Sequence, residues 1–186
     1  RPVANFGVAV LTGRGIQPRI VHDRDENRQA GSPALPLRVN PYLPTFFDAA
    51  PISGVIRPAP GTYHVVFDSP SRGAAGRFRF RFWVNDQRPP RVRLLTSSVR
   101  AGGTLVASAS DRGAGVDPSS VFVQVDGGPL QVARFRNGRI RIPARFSSGR
   151  HRLTLHVSDY QESKNMENAA RILPNTTVLT APFTVR

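Results

Sequence analysis

Between Gly61 and Pro90 the chain reads GTYHVVFDSPSRGAAGRFRFRFWVNDQRPP, and no other stretch restricts the fold as much. Two segments alternate with period two around a run of small residues, and a Pro-Pro step follows. The pattern predicts a β-hairpin with a domain boundary behind it. Tyr63, Val65 and Phe67 would share one face of the first strand. In the second, Phe78, Phe80, Phe82 and Val84 would share one face, and Arg77, Arg79, Arg81 and Trp83 the other. Each buried phenylalanine would contribute about 1.5–3 kcal/mol, so the Phe face is read as a core with Phe80 at its centre.

The rest of the chain repeats this punctuation. Before the hairpin, residues 3–12 (VANFGVAVLT), Arg19–His22, Leu35–Val39 and Val55–Ile56 read as short strands. The polar run HDRDENRQAGSP reads as loop, and NPYLPTFFDAAP as an irregular segment packed on the sheet. After Pro90, strands are expected at Arg91–Thr96, Thr104–Ser108, Val121–Val125, Leu130–Arg136, Arg139–Ile142, within RHRLTLHVSD, and at Val178–Val185. Asn137-Gly138 is the strongest turn signal, because a type I′ hairpin needs positive φ at both positions. A polar insertion spans Tyr160–Asn175, with one helical turn expected near Met166–Arg171. The fold class is all-β: two tandem β-sandwich domains, residues 1–86 with long loops and residues 87–186, the second immunoglobulin-like.

Composition narrows the function classes. The 186 residues contain no cysteine, which excludes disulfides and thiolate metal sites. No apolar run approaches the length of a membrane span. The net charge is +14, and among the basic residues only Lys164 is lysine. Such a charge predicts attraction to polyanions at low salt, although scattered arginine is equally what a solvated surface carries. The chain starts at Arg1 without the order of a signal peptide, so it is expected to be a fragment or processed segment of a longer protein.

No convergent set of acid, base and nucleophile is present, so no enzyme activity is expected of these residues. There is no G-x-S-x-G, H-E-x-x-H, P-loop or G-x-G-x-x-G. His64 and His156 alternate with apolar residues and read as surface positions. Asp23-x-Asp25-x-Asn27 opens like a calcium loop but places Arg28 where glycine is needed and Ala34 where glutamate is needed. Asp111, Asp117 and Asp159 are the better metal candidates: loops at one end of an immunoglobulin-like sandwich could bring them around calcium, and turn capping is the competing role. No other cofactor is expected. Arg77, Arg79 and Arg81 would form one row, and Arg134, Arg136, Arg139 and Arg141 would lie side by side around the Asn-Gly turn; both are candidate polyanion sites. Trp83 is the one aromatic residue interleaved with the first row, so no specific nucleic-acid partner is expected.

The strings NPYLP, PISGVIRPAPGTYHVVFDSPSRGAAGRFRFRFWVNDQRPPRVRLL, DRGAGVDPSSVFVQVDG and SGRHRLTLHVSDYQESKN together resemble the C-terminal non-catalytic region of large secreted bacterial subtilisin-like serine proteases. The resemblance runs from about Leu35 onward. It implies a secreted accessory module whose partner is an upstream catalytic domain of the same polypeptide. The catalytic residues do not carry over, since the G-T-S-x-A-x-P nucleophile context is absent. The SDYQESKNMENAARILPN segment also departs from the short D-x-A-G-N ending of such modules. A second function class stays open: extracellular binding of an acidic polysaccharide or cell-surface glycan through the arginine faces.

Overall fold

A computed structural model describes residues 5–22, 32–33, 50–161 and 175–186. The expected strand at 35–39, the irregular run 40–49, the Asp23/Asp25 loop and the helical turn at 166–171 lie outside the described residues. In the first half the strands are β1 (Asn5–Thr12), β2 (Gln17–His22), β3 (Ser32–Pro33), β4 (Ile52–Ile56), β5 (Tyr63–Asp68) and β6 (Arg79–Val84). They form one sheet in the order β3-β4-β1-β6 and a second made of β2 and β5.

The hairpin expected between β5 and β6 does not form. β5 pairs antiparallel with β2, Ile20 opposite Val65, and β6 pairs antiparallel with β1, Val8 opposite Phe82. The two strands instead belong to different sheets and meet through side chains: Phe67 lies 4.7 Å from Phe78 and 4.9 Å from Phe80, ring to ring. Period-two alternation correctly identifies both strands. It does not identify their partners, and a connection as long as 69–78 leaves a strand free to cross to another sheet.

The core between these sheets is Val8, Ile20 and Val55, with Phe6, Tyr63, Val65 and Phe67 packed against it. Because β6 is the edge of its sheet, its Phe face closes only one side of that core. Phe80 remains 51% exposed and Phe82 49%. The expectation of Phe80 as the buried centre is therefore overturned, and the buried aromatic residue of the strand is Trp83, at 3%. β1 lies between β4 and β6 with Val8 facing the β2–β5 sheet and Ala9 facing the other way, and both are fully buried. A strand covered on both faces reads as a continuous apolar run, as Gly7-Val8-Ala9-Val10 does here.

The second half contains β7 (Arg91–Leu94), β8 (Ser98–Val99), β9 (Thr104–Ser110), β10 (Phe122–Val125), β11 (Gln131–Val132), β12 (Arg134–Arg136), β13 (Arg139–Pro143), β14 (Gly149–Ser158) and β15 (Thr176–Val185). One sheet runs β12-β13-β9-β7 and the other β11-β10-β14-β15-β8. In immunoglobulin terms these are D-E-B-A and C′-C-F-G-A′. The A strand is split: β7 pairs with β9 in one sheet, and β8 crosses to run parallel to β15 in the other. The expected strand 130–136 is also split at buried Ala133, with β11 joining β10 and β12 joining β13. Leu105, Ala107, Ile140, Val121, Val123, Leu153, Leu155 and Phe183 fill the space between the sheets. Asn137 (φ 50°) and Gly138 (φ 73°) adopt the left-handed conformation that the type I′ turn requires.

Candidate functional site

Both faces of β6 are used, and the Arg/Trp face meets the second half. Trp83 sits opposite Gly7 of β1, where a Cβ would fall 2.3 Å from the indole ring, so glycine is what admits the side chain. The ring packs with Ala9, Ile52, Ala114 and Tyr160, and its Nε1 donates to Gln161 Oε1 at 2.6 Å. Arg81, two residues earlier, reaches into the loop after β9. Its Nε donates to the Gly113 carbonyl at 2.9 Å, and its terminal nitrogen to the carbonyls of Asp111 and Arg112. Asp86 completes the contact: its Oδ2 accepts from the Ala114 amide, while its own backbone N–H and C=O are bonded to the Asn5 side chain.

The glycines of DRGAGVD explain this loop's sequence. At Gly113 a Cβ would come within 2.3 Å of the Asp86 carboxyl carbon. At Gly115 φ is +86°, and a Cβ would meet Arg81 at 2.8 Å. The loop is therefore shaped to receive two side chains of the first half.

Three carboxylates converge at this seam. Oxygens of Asp86, Asp111 and Asp159 all lie within 4.8 Å of one another, and Asp86 and Asp159 are buried. A hard cation such as calcium takes this kind of oxygen set. Each group also accepts a hydrogen bond from the chain: Asp86 from Ala114 N, Asp111 from Gly115 N at 2.6 Å, and Asp159 from Asn175 Nδ2 at 2.6 Å. The structure thus brings together Asp111 and Asp159 of the expected metal set and adds Asp86, the last residue of the expected first domain. Asp117 is not in the group. It caps the 3₁₀ turn Pro118–Ser120, its Oδ1 accepting from Ser119 N and Ser119 Oγ at 2.8 and 2.6 Å. Burial holds the Asp111 carboxyl above its ordinary range against the Gly115 hydrogen bond, and repulsion from Asp86 adds to the rise. Burial likewise pushes the Tyr160 phenol up, with Asp117 adding to the shift.

The arginine rows fare differently. Arg77 precedes β6 and Arg79 is exposed, whereas Arg81 turns inward to the loop carbonyls; the three do not make one surface row. Arg134 and Arg141 stand directly opposite one another across β12 and β13, as do Arg136 and Arg139, and all four are exposed.

Among the histidines, His64 is exposed and His156 is half-buried. His151 makes a pair that the sequence reading missed. Its Nδ1 lies 2.6 Å from Asp126 Oδ2 and its Nε2 2.8 Å from the Ser147 carbonyl, so neither ring nitrogen is left to take a proton from a nucleophile. An Asp-His contact within a triad needs the second nitrogen free. The signal for it was present in the Asp126-Gly127 turn, whose positive φ at both residues aims the aspartate back at β14.

No family model matches the chain, and no curated protein does. Among solved structures, a similar chain comes from the structures of Clostridium thermocellum CbhA fibronectin(III)-like modules, at 12% identity and a TM-score of 0.38, over 98% of this chain and 85% of that one.

Proposed function

We propose that the chain is a non-catalytic accessory module of an exported bacterial protein, made of two β-sandwich domains, 1–86 and 87–186, that hold a neighbouring catalytic domain in position. The observation that carries this reading is the seam. Strand pairing stays within each half among the described residues, yet Trp83, Arg81 and Asp86 key the first sandwich into the loop 111–115 of the second. Two sandwiches joined only by a Pro-Pro linker would swing independently, and a buried contact of this kind makes them a stiff spacer. The three carboxylates lie at the same seam, where a bound divalent cation would tighten it. The secreted location and the subtilisin-like parent are supported by the sequence resemblance. The coding sequence that precedes Arg1 tests the parentage: a subtilisin-type aspartate, histidine and G-T-S-x-A-x-P serine set is expected there. A continuous reading frame with no peptidase signature would sink the protease assignment.

A further inference from the structure

The outer face of the β12-β13-β9-β7 sheet is charged with one sign only. Its inward residues, among them Leu105, Ala107, Ala109, Ile140 and Ile142, are buried in the core, so alternate residues point to solvent. Every charged residue in these four strands is an arginine, and all six are exposed: Arg91, Arg93, Arg134, Arg136, Arg139 and Arg141. Register sets them in rows across the sheet. Arg136 pairs with Arg139, Arg139 with Ser108, and Ser108 with Arg93; the next row runs Arg134, Arg141, Val106. Strands lie about 4.8 Å apart and successive outward residues on one strand about 7 Å apart, so the arginine positions form a regular grid on the sheet.

This grid is the opposite of what a merely solvated sheet shows. Like charges directly opposite one another across a ladder oppose folding, and soluble surfaces ordinarily intersperse the two signs. None of the six makes an ion pair with a described residue. We propose that this face binds an acidic polysaccharide, a sugar chain bearing regularly spaced carboxylate or sulfate groups. A guanidinium pairs with either anion through two parallel N–H bonds. Ser108 and Ser110, on the same face, offer hydroxyls to neutral sugar positions, and half-buried Val106 offers an apolar contact. Nucleic acid fits less well. No aromatic side chain stands among the outward positions to stack a base, and a sheet four strands wide exceeds the helix or two-stranded ribbon that a duplex major groove admits. The assignment does not depend on the accessory-module reading.

Binding of polygalacturonate, dextran sulfate, oligothymidylate and duplex DNA should be compared at about 150 mM salt, where weak surface attraction is screened. One triple variant replaces the central row, Arg93→Gln, Arg136→Gln and Arg139→Gln. A control, Arg14→Gln, Arg57→Gln and Arg72→Gln, makes the same change of charge on exposed residues of the first half. The central-row variant should bind the acidic polysaccharide at least about tenfold more weakly and the control within about threefold of the parent. Lysine at the same three positions keeps charge and fold and should recover only part of the affinity, since it lacks the fork. Equal losses in both glutamine variants, no binding by the parent protein, or tighter binding of either nucleic acid would each overturn the proposal.

Discussion

Trp83 and Phe80 are three residues apart on one strand and occupy opposite circumstances. Alternation places them on different faces, and it is silent on which face another part of the chain will cover. A row of phenylalanines is the more hydrophobic of the two, so a reading from residues alone assigns it the core. The structure assigns Trp83 instead, because Gly7 leaves room beneath the indole and Gln161 satisfies its N–H. Trp83→Ala should therefore destabilise by about 3–5 kcal/mol in urea denaturation, the range for a buried aromatic residue. Phe80→Ala, with half its surface already in water, should fall below about 1.5 kcal/mol, since only the buried part of the transfer free energy is lost. Equal losses at the two positions would show that the two faces had been assigned wrongly. Asp86 was missed for a related reason: a carboxylate next to a Pro-Pro step looks like a linker residue until Gly113 is seen to leave a place for it.

At the level of elements, β9, β13 and β14 were legible because each carries a clean period of two. The Asn137-Gly138 and Asp126-Gly127 turns announce themselves. The sheet switches at β7–β8 and at Ala133 do not, since crossing between sheets changes partners without changing alternation. The pair made by the β10–β11 turn and β14 gives this region a pH dependence. Asp126 and the Ser147 carbonyl, through hydrogen bonds, raise the His151 pKa above 6.5, and the same hydrogen bond to His151 lowers that of Asp126 below 3.8. A base whose folded pKa is raised adds stability that is complete below the unfolded value and lost as pH climbs through the folded one. The melting temperature should therefore decline as pH rises above about 6.5 and through the raised His151 pKa, and Asp126→Asn should remove most of that decline. A profile unchanged by the substitution would assign the decline to other groups. On the acid side the lowered Asp126 acts in the reverse sense, its contribution fading as pH falls through its folded value.

Taken whole, the molecule is two sandwiches keyed together by one strand, with an arginine grid on the outer side of the second. The all-β class could be inferred from punctuation and period. The seam could not, because it joins Asn5, Trp83, Asp86, Ala114 and Gln161, residues far apart in sequence whose spacing carries no motif. One element of the second sandwich bears on how the chain behaves under load. β8 runs parallel to β15 at the end of the chain, tied by bonds from Thr184 N to Ser97 O, Arg186 N to Val99 O and Ala101 N to Arg186 O, at 2.9 Å each. A pull between Pro90 and Arg186 draws these strands past each other along their length, so the bonds bear the force together instead of parting one by one. Single-molecule stretching should show this sandwich yielding abruptly at a single force peak, and Val99→Pro, which distorts the patch, should lower that peak.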